Sequence, residues 1–200
     1  SFSVFLLHRV AFANAEVRNG EWYQVKGRQL SDCTFGIVGC GHIGKDLVKL
    51  LKPFGCNILA HDIIDFKEFY QENNITSVGL DELLQKSDVV TLHLPKNDST
   101  NNILNKDRLQ MLKKDAILIN LARGGLLDES ALKKILSEKN IAGAALDVFS
   151  VEPPIDTDFA HLDNVLITPH IGGSTEEAIL AMGLAAIDGL KNPKNPLKFL

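Results

Sequence analysis

TFGIVGCGHIG, residues 34–44, is the stretch that decides the fold of this chain. Thr34–Val38 is a short apolar run typical of a buried strand, and a helix-spaced apolar pattern follows the stretch. Between them, Gly39, Gly41 and Gly44 form a G-x-G-x-x-G pattern. The first glycine permits a tight turn, the second lets a ligand approach the backbone, and the third lets the helix pack closely on the strand. The pattern predicts a dinucleotide-binding turn, although a turn that serves only packing has the same form.

Asp62 supports the dinucleotide interpretation. It follows a second apolar run, Cys56–Ala60, and an acidic side chain at that strand end can accept hydrogen bonds from ribose hydroxyls. Ile63 and Ile64 come next, with no arginine to pair a 2′-phosphate, so NAD is predicted rather than NADP. Two alternatives stay open at this point. Asp62 is also consistent with a solvated acid at a strand end, and S-adenosylmethionine enzymes likewise combine a glycine turn with a strand-end acid.

Outward from this unit, apolar runs alternate with helical stretches. The further predicted strands are Asp88–His93, Ala116–Leu121, Ile141–Leu146 and Val165–Thr168, with a weaker edge strand near Ser77–Val78. The predicted helices are Ser3–Glu16, residues 45–54, Leu80–Gln85, Lys106–Leu112 and Asp128–Lys139. Continuous apolar strands separated by helices are typical of a parallel sheet buried on both faces, joined by right-handed crossovers. The predicted fold class is therefore α/β, a doubly wound parallel sheet of the Rossmann type.

Composition excludes several classes of protein. Hydrophobic residues make up 45% of the 200 residues and charged residues 23%, which is enough for a buried core. The net charge of −4, without a basic run, argues against a nucleic-acid partner. No apolar run approaches the roughly 18 residues of a membrane-spanning helix, so no membrane partner is predicted. Three cysteines without metal-ligand spacing predict reduced thiols, no metal site and a cytoplasmic protein.

Three polar residues follow three different predicted strands. Arg123 comes after the fourth main strand, Glu152 after the fifth and His170 after the sixth. The carboxyl ends of parallel strands meet at one edge of a sheet, where open α/β sheets bind ligands. A guanidinium suits the capture of a carboxylate, and an imidazole titrates near neutral pH. These residues are the candidate catalytic set, although Arg123 is also consistent with a helix cap or a surface ion pair.

The collinear motifs resemble the cofactor-binding half of the D-isomer-specific 2-hydroxyacid dehydrogenases. In order, they are GCGHIG at 39–44, the strand-end Asp62, HLP at 93–95, NLARGGLLDESAL at 120–132, LDVFSVEPP at 146–154 and TPHIGGST at 168–175. Together they are far more discriminating than any one motif, and they remove the methyltransferase alternative. Within the family, HIGGSTEEA at 170–178 is most similar to 3-phosphoglycerate dehydrogenases.

The resemblance implies a hydride transfer between NAD(H) and a D-2-hydroxy or 2-keto acid. Arg123 would anchor the substrate, His170 would be the acid and base, and Glu152 would be its partner. Asp147 would contact the nicotinamide carboxamide, and His42 with Ile43 would lie by the pyrophosphate. The implied cofactor-binding residues are Gly39, Gly41, His42, Ile43, Gly44, Asp62, His93, Pro95, Ala122, Arg123, Asp147, His170 and Gly172.

The same resemblance sets expectations for the domain organisation. Residues 1–200 are expected to be an NAD-binding domain, with 1–30 and 174–200 as helical segments that connect to a substrate lobe absent from this chain. We expect NAD(H) binding with little or no turnover by these residues alone, and a homodimer. An alternative function is an NAD(H)-responsive binding protein of the corepressor type, because such proteins resemble this family and keep the same three candidate residues.

Overall fold

The computed structural model describes residues 1–155 and 158–193. Within them, one parallel sheet holds seven strands in the order β3-β2-β1-β4-β5-β6-β7. The strands are β1 (Thr34–Val38), β2 (Asn57–His61), β3 (Thr76–Ser77), β4 (Val89–Leu92), β5 (Ile117–Asn120), β6 (Gly143–Leu146) and β7 (Val165–Ile167). The winding reverses between β1 and β4, which is where ligands bind in open α/β sheets. The predicted doubly wound sheet is confirmed, including its weak edge strand.

Helices cover both faces of the sheet. The α-helices of the described residues are α1 (Phe2–Leu7), α2 (Val10–Arg18), α3 (His42–Leu51), α4 (Lys67–Glu72), α5 (Leu80–Lys86), α6 (Lys106–Leu109), α7 (Glu129–Ser137) and α8 (Glu176–Lys191), of which α2 and α8 have no buried residue. Side chains of α5, α6 and α7 fill the core on one face, and those of α1, α3 and α4 fill it on the other. Strand β1 supplies both cores, since Phe35 and Ile37 face one cluster and Val38 the other. Burial on both faces explains why the strands are apolar without alternation.

The single helix predicted for Ser3–Glu16 is wrong, because the structure has two helices there. Arg9 breaks the helix in a left-handed conformation, with φ of 51°, and its guanidinium lies 4.4 Å from the centre of the Phe12 ring. Leu7 of α1 is buried against the sheet, whereas α2 has no buried residue. The first helix therefore ends where its contact with the sheet ends. The spacing of apolar residues in the sequence does not indicate that position.

Other boundaries differ from the predictions by a few residues. Helix α3 begins at His42 rather than at residue 45, directly after the glycine turn. Helix α6 ends at Leu109 rather than Leu112, and α4 was not predicted. The predicted start of α7 is confirmed, because the Asp128 side chain accepts a hydrogen bond from Ala131 N at 2.9 Å.

The predicted connecting segment 174–200 contains α8, which has no buried residue. Residues 194–200 of that segment lie outside the described residues. In the part of the chain that the structure describes, no helix combines the length and the apolar character needed to cross a bilayer.

Candidate active site

The glycine turn lies between the ends of three strands. Gly39 has φ of 94°, and its N–H donates to the carbonyl oxygen of His61 at 2.8 Å. An added Cβ at Gly39 would lie 2.7 Å from the carbonyl oxygen of His93, which follows β4, and one at Gly44 would collide with the Gly39 carbonyl. An added Cβ at Gly41 would meet no atom within 4 Å. Packing therefore requires glycine at 39 and 44, while Gly41 leaves open space beside the backbone.

The start of α3 fits a dinucleotide pyrophosphate. The first helical hydrogen bond runs from Lys45 N to the Gly41 carbonyl at 2.9 Å, so the N–H groups of residues 42–44 have no acceptor within the helix. These free donors and the positive end of the helix dipole favour an anion beside Gly41. His42 and Ile43 are exposed at this end of the helix. The resemblance implies that both residues lie by the pyrophosphate, and this stays a prediction.

Asp62 ties the end of β2 to the glycine turn. Its carboxylate accepts hydrogen bonds from Cys40 N at 2.6 Å and from Ile64 N at 3.0 Å. Asp62 is half-buried, and its predicted contact with the ribose stays a prediction. Two N–H donors leave lone pairs on the carboxylate that can accept from ribose hydroxyls.

His93 and Pro95 lie in the loop after β4. Burial lowers the pKa of His93 to about 4, so its imidazole is neutral at neutral pH. The Nε2 atom of the ring lies 3.1 Å from the Thr91 hydroxyl, and the backbone carbonyl of His93 faces Gly39. Pro95 is exposed, and its carbonyl accepts from the Thr100 hydroxyl at 2.6 Å. His93 is therefore neutral at this turn, and its predicted contact with the cofactor stays a prediction.

Asn120 positions the loop that carries Arg123. It is the last residue of β5 and is 1% exposed. Its amide donates to the Arg123 carbonyl at 2.9 Å and accepts from Ala122 N at 3.2 Å. The sequence prediction omitted Asn120, although a polar residue that ends an apolar strand was a signal for it.

The Arg123 guanidinium is exposed and donates to the carbonyl oxygen of its neighbour Ala122 at 2.6 Å. Among the described residues, no carboxylate lies within ion-pair distance of it. The alternative of a surface ion pair is therefore wrong for the described residues. The side chain remains available to an anionic ligand.

Glu152 and His170 are in direct contact. Nδ1 of His170 lies 2.8 Å from one carboxylate oxygen of Glu152, and the other oxygen accepts from Phe149 N at 3.0 Å. The hydrogen bond with His170, followed by the one from Phe149, holds the pKa of Glu152 below its usual value. His170 adopts a left-handed backbone with φ of 55°, which is uncommon outside glycine. The other ring nitrogen, Nε2, takes no part in this contact.

Asp147 lies beneath the loop that carries His170. One oxygen of this buried carboxylate accepts from the Thr168 hydroxyl at 2.5 Å and from Ile171 N at 2.8 Å, and the other accepts from Gly172 N at 2.8 Å. These bonds fix the backbone on both sides of the left-handed residue. The sequence identified Asp147 only as a contact of the nicotinamide. That contact stays a prediction, beside a positioning role that sequence reasoning missed.

The loops of the three candidate catalytic residues are contiguous. An added Cβ at Gly124 would collide with the Phe149 carbonyl, so the loop of Arg123 packs against the loop of Glu152. A cavity of about 430 Å³ is lined by residues that include Asp147, Glu152 and His170. Strands β5, β6 and β7 are neighbours, and all end at the edge that holds the glycine turn. Within residues 1–155 and 158–193, no cluster of His, Cys, Asp or Glu could hold a metal ion.

Comparison with known proteins agrees with this arrangement. Residues 2–172 match the family described as D-isomer specific 2-hydroxyacid dehydrogenase, NAD binding domain. The chain belongs to this family. The predicted NAD cofactor is thereby confirmed, and as an NAD-binding domain of these dehydrogenases the chain is not a methyltransferase.

Relatives of this dehydrogenase domain include the D-3-phosphoglycerate dehydrogenase of Methanocaldococcus jannaschii, which is 42% identical over 182 residues. That alignment covers 90% of this chain and 35% of the relative. The hydroxypyruvate reductase of Thermotoga maritima is 36% identical, with 90% and 59% of the two chains covered. The chain therefore spans about a third of the length of the first relative and more than half of the second.

Solved structures of the family superpose well on this domain. A D-lactate dehydrogenase from Sporolactobacillus sp. has a TM-score of 0.87 at 34% identity, covering 96% of this chain and 64% of that one. The D-lactate dehydrogenase of Aquifex aeolicus, complexed with NAD and lactic acid, has a TM-score of 0.87 at 28% identity, covering 94% and 62%.

Proposed function

We propose that the protein is an NAD-dependent D-2-hydroxyacid dehydrogenase with Arg123, Glu152 and His170 as its catalytic residues. The observation that carries the proposal is the 2.8 Å contact between His170 and Glu152 at the sheet edge that also holds the glycine turn. A histidine paired with a carboxylate beside a dinucleotide site is suited to move the hydroxyl proton of a 2-hydroxy acid.

His170 is the proposed acid and base. Its Nδ1 atom is engaged by Glu152, so Nε2 takes the hydroxyl proton during oxidation and returns it during reduction. NAD, when bound, supplies the acceptor or donor of the hydride at the substrate carbon. The Glu152 carboxylate stabilises the imidazolium and fixes the tautomer, the function that an acidic partner performs in other catalytic histidine pairs.

Arg123 is the proposed substrate anchor. Its exposed guanidinium has no carboxylate partner among the described residues and can hold a substrate carboxylate with two parallel hydrogen bonds. At the cofactor end, Gly41 and the first N–H groups of α3 hold the pyrophosphate, and Asp62 accepts from the ribose. The remaining predicted cofactor contacts, from His93 to Gly172, are part of the same proposal.

The proposed substrate is 3-phosphoglycerate. D-3-phosphoglycerate dehydrogenases among the relatives support it, while the lactate dehydrogenases keep other 2-hydroxy acids as test substrates. The corepressor-type alternative is not favoured, because the relatives named above are dehydrogenases and reductases.

A homodimer is supported by the exposed apolar side chains of α8, and a cytoplasmic location by three free cysteines.

The test is His170→Ala in the full-length protein, with His161→Ala as a matched control at an exposed histidine. We expect turnover of 3-phosphoglycerate or D-lactate, followed by NADH absorbance, to fall by about a thousandfold in His170→Ala, since general acid–base catalysis contributes on that order. NADH affinity should change less than about twofold, because the turn and α3 are intact. Unchanged turnover in His170→Ala would remove the histidine from the mechanism.

A further inference from the structure

Glu129 makes a contact that the proposed catalytic roles do not use. It is the first residue of α7 and is half-buried. One of its carboxylate oxygens accepts both the backbone N–H and the hydroxyl of Ser150, each at 2.7 Å. Ser150 lies in the loop after β6, 21 residues along the chain. Two hydrogen bonds to a charged oxygen hold that loop against the start of the helix.

Capping of the helix does not account for this contact. Asp128 already caps α7 through Ala131 N, so the first turn of the helix has its side-chain acceptor. Glu129 instead points out of its own helix toward Ser150. Its two hydrogen bonds serve the loop, not the helix.

The loop at Ser150 is the loop that holds the acid/base pair. The N–H of the preceding residue, Phe149, donates to one oxygen of Glu152, whose other oxygen contacts His170. On the opposite side, the Phe149 carbonyl abuts Gly124, next to Arg123. A shift of residues 149–150 would therefore move the Glu152 carboxylate relative to the imidazole.

We propose that Glu129 is a positioning residue for the dehydrogenase reaction, and that its hydrogen bonds to Ser150 set where the Glu152 carboxylate meets His170. The inference rests on the proposed function. Glu129 touches neither substrate nor the reacting atoms, and it acts through the backbone of residues 149–150. Ser150 is its partner in this role.

The test compares Glu129→Ala, Glu129→Gln and Ser150→Ala in the full-length protein. Glu138→Ala, an acid at the other end of α7, is the matched control. For reduction of a 2-keto acid, we expect Glu129→Ala to lower kcat by about tenfold, since small misplacements of catalytic groups cost that much or more. KM and NADH affinity should stay within about twofold, because the anchor and the cofactor turn are unchanged.

Glu129→Gln and Ser150→Ala are expected to lose less kcat than Glu129→Ala. Glu129→Gln keeps an amide oxygen that can accept from Ser150, so it should recover part of the lost kcat. Ser150→Ala removes the hydroxyl but keeps the N–H bond, and its loss of kcat should be smaller than that of Glu129→Ala. Glu138→Ala should behave as the unaltered protein.

The pH profile of kcat/KM separates positioning from a general loss of structure. A smaller folded fraction lowers kcat/KM by the same factor at every pH. A displaced Glu152 carboxylate instead stabilises the imidazolium of His170 less well, so the loss of kcat/KM depends on pH. We therefore expect the high-pH limb of the kcat/KM profile for reduction to move to lower pH in Glu129→Ala and to stay in place in Glu138→Ala. Glu152 contacts the imidazole and Asp147 holds the adjoining backbone, and both carboxyl groups remain in every variant.

The outcomes distinguish this inference from the proposed function. If the full-length protein turns over no 2-hydroxy or 2-keto acid, or if His170→Ala stays active, the proposed function fails. If turnover depends on His170 but Glu129→Ala matches Glu138→Ala in kcat and in pH profile, only the role of Glu129 is overturned. If Glu129→Ala does not fold, unaltered kcat and pH profile in both Glu129→Gln and Ser150→Ala overturn the inference.

Discussion

Gly39 and Gly41 lie two residues apart in one turn, yet an added methyl group would meet different surroundings at each. At Gly39 it would press on the His93 carbonyl, and the positive φ of that residue already disfavours a side chain. At Gly41 it would enter open space. Packing within the chain therefore does not require glycine at position 41. The close approach of a ligand to the backbone is the remaining reason for a glycine there.

The two glycines should therefore respond differently to alanine. We expect Gly39→Ala to lower the free energy of unfolding by about 1–3 kcal/mol, through backbone strain and the carbonyl contact. Gly41→Ala should leave it within about 0.5 kcal/mol while weakening NADH binding by roughly tenfold. Urea unfolding and NADH fluorescence titration measure the two effects. Wild-type NADH affinity in Gly41→Ala would show that the second glycine serves the turn alone.

Several elements are joined at the amino edge of the sheet by Asp88. Directly before β4, this carboxylate accepts from Thr34 N at 2.8 Å and pairs with Arg28 at 3.0 Å and Lys113 at 3.2 Å. Burial raises the pKa of Asp88, but the hydrogen bonds from Thr34, Arg28 and Lys113 outweigh it and hold the pKa below its usual value. The cluster holds the segment before β1 against the starts of β4 and β5, on the edge opposite the candidate active site.

Replacing Asp88 by Asn should destabilise the domain in a pH-dependent way. We expect the free energy of unfolding at neutral pH to fall by about 1–3 kcal/mol, the range for a lost charged hydrogen-bond partner. A depressed pKa in the folded state adds stability above the unfolded pKa of about 3.9, and that stability is lost as the pH falls through the folded value. The difference between wild type and variant should therefore shrink with acidification in urea titrations.

Asp46→Asn is the control for this prediction. Asp46 is exposed and pairs with Lys49 at 2.9 Å, three residues along α3. Exposed pairs of this kind contribute little, so this variant should unfold like the wild type at every pH. A pH-independent loss in Asp88→Asn would contradict the electrostatic origin.

At the scale of the whole molecule, the candidate active site is open to solvent. The side chain of His170 is 49% exposed, that of Glu152 38%, and Arg123 is exposed as well. Large apolar side chains of α8 are also exposed, among them Ile179, Leu180, Met182, Leu184, Ile187 and Leu190. Exposed apolar patches such as that of α8 mark interaction surfaces. At the candidate active site, water around the reacting groups weakens the electrostatic stabilisation of a transition state.

The 200 residues alone should therefore bind NADH without efficient catalysis. We expect a dissociation constant within about tenfold of that of the full-length protein, because the glycine turn and Asp62 are present. Turnover of a 2-hydroxy acid should be below roughly a hundredth of the full-length rate, because the reacting groups stay solvated. Titration and NADH absorbance on the purified domain measure both. Comparable turnover by the domain would overturn the expectation that further chain completes the site.

The amino-acid sequence by itself determined the order of the elements, the glycine turn and the sheet edge on which Arg123, Glu152 and His170 lie. Local patterns encode strands and turns, and parallel strands joined by right-handed crossovers bring their carboxyl ends to one edge. That rule placed three residues far apart in the chain on one edge of the sheet, where His170 and Glu152 are in contact. Predicting that shared edge required no knowledge of any side-chain contact.

Only the tertiary structure decided which groups hold those residues in place. Asp147 beneath the His170 loop, Glu129 on Ser150 and Asp88 at the opposite edge all bond to residues more than 20 positions away. The break of the first helix at Arg9 likewise follows from where the sheet ends beneath it. Hydrophobic periodicity reports the face that an element buries, whereas a hydrogen bond between two segments depends on where the folded chain brings their donors and acceptors together.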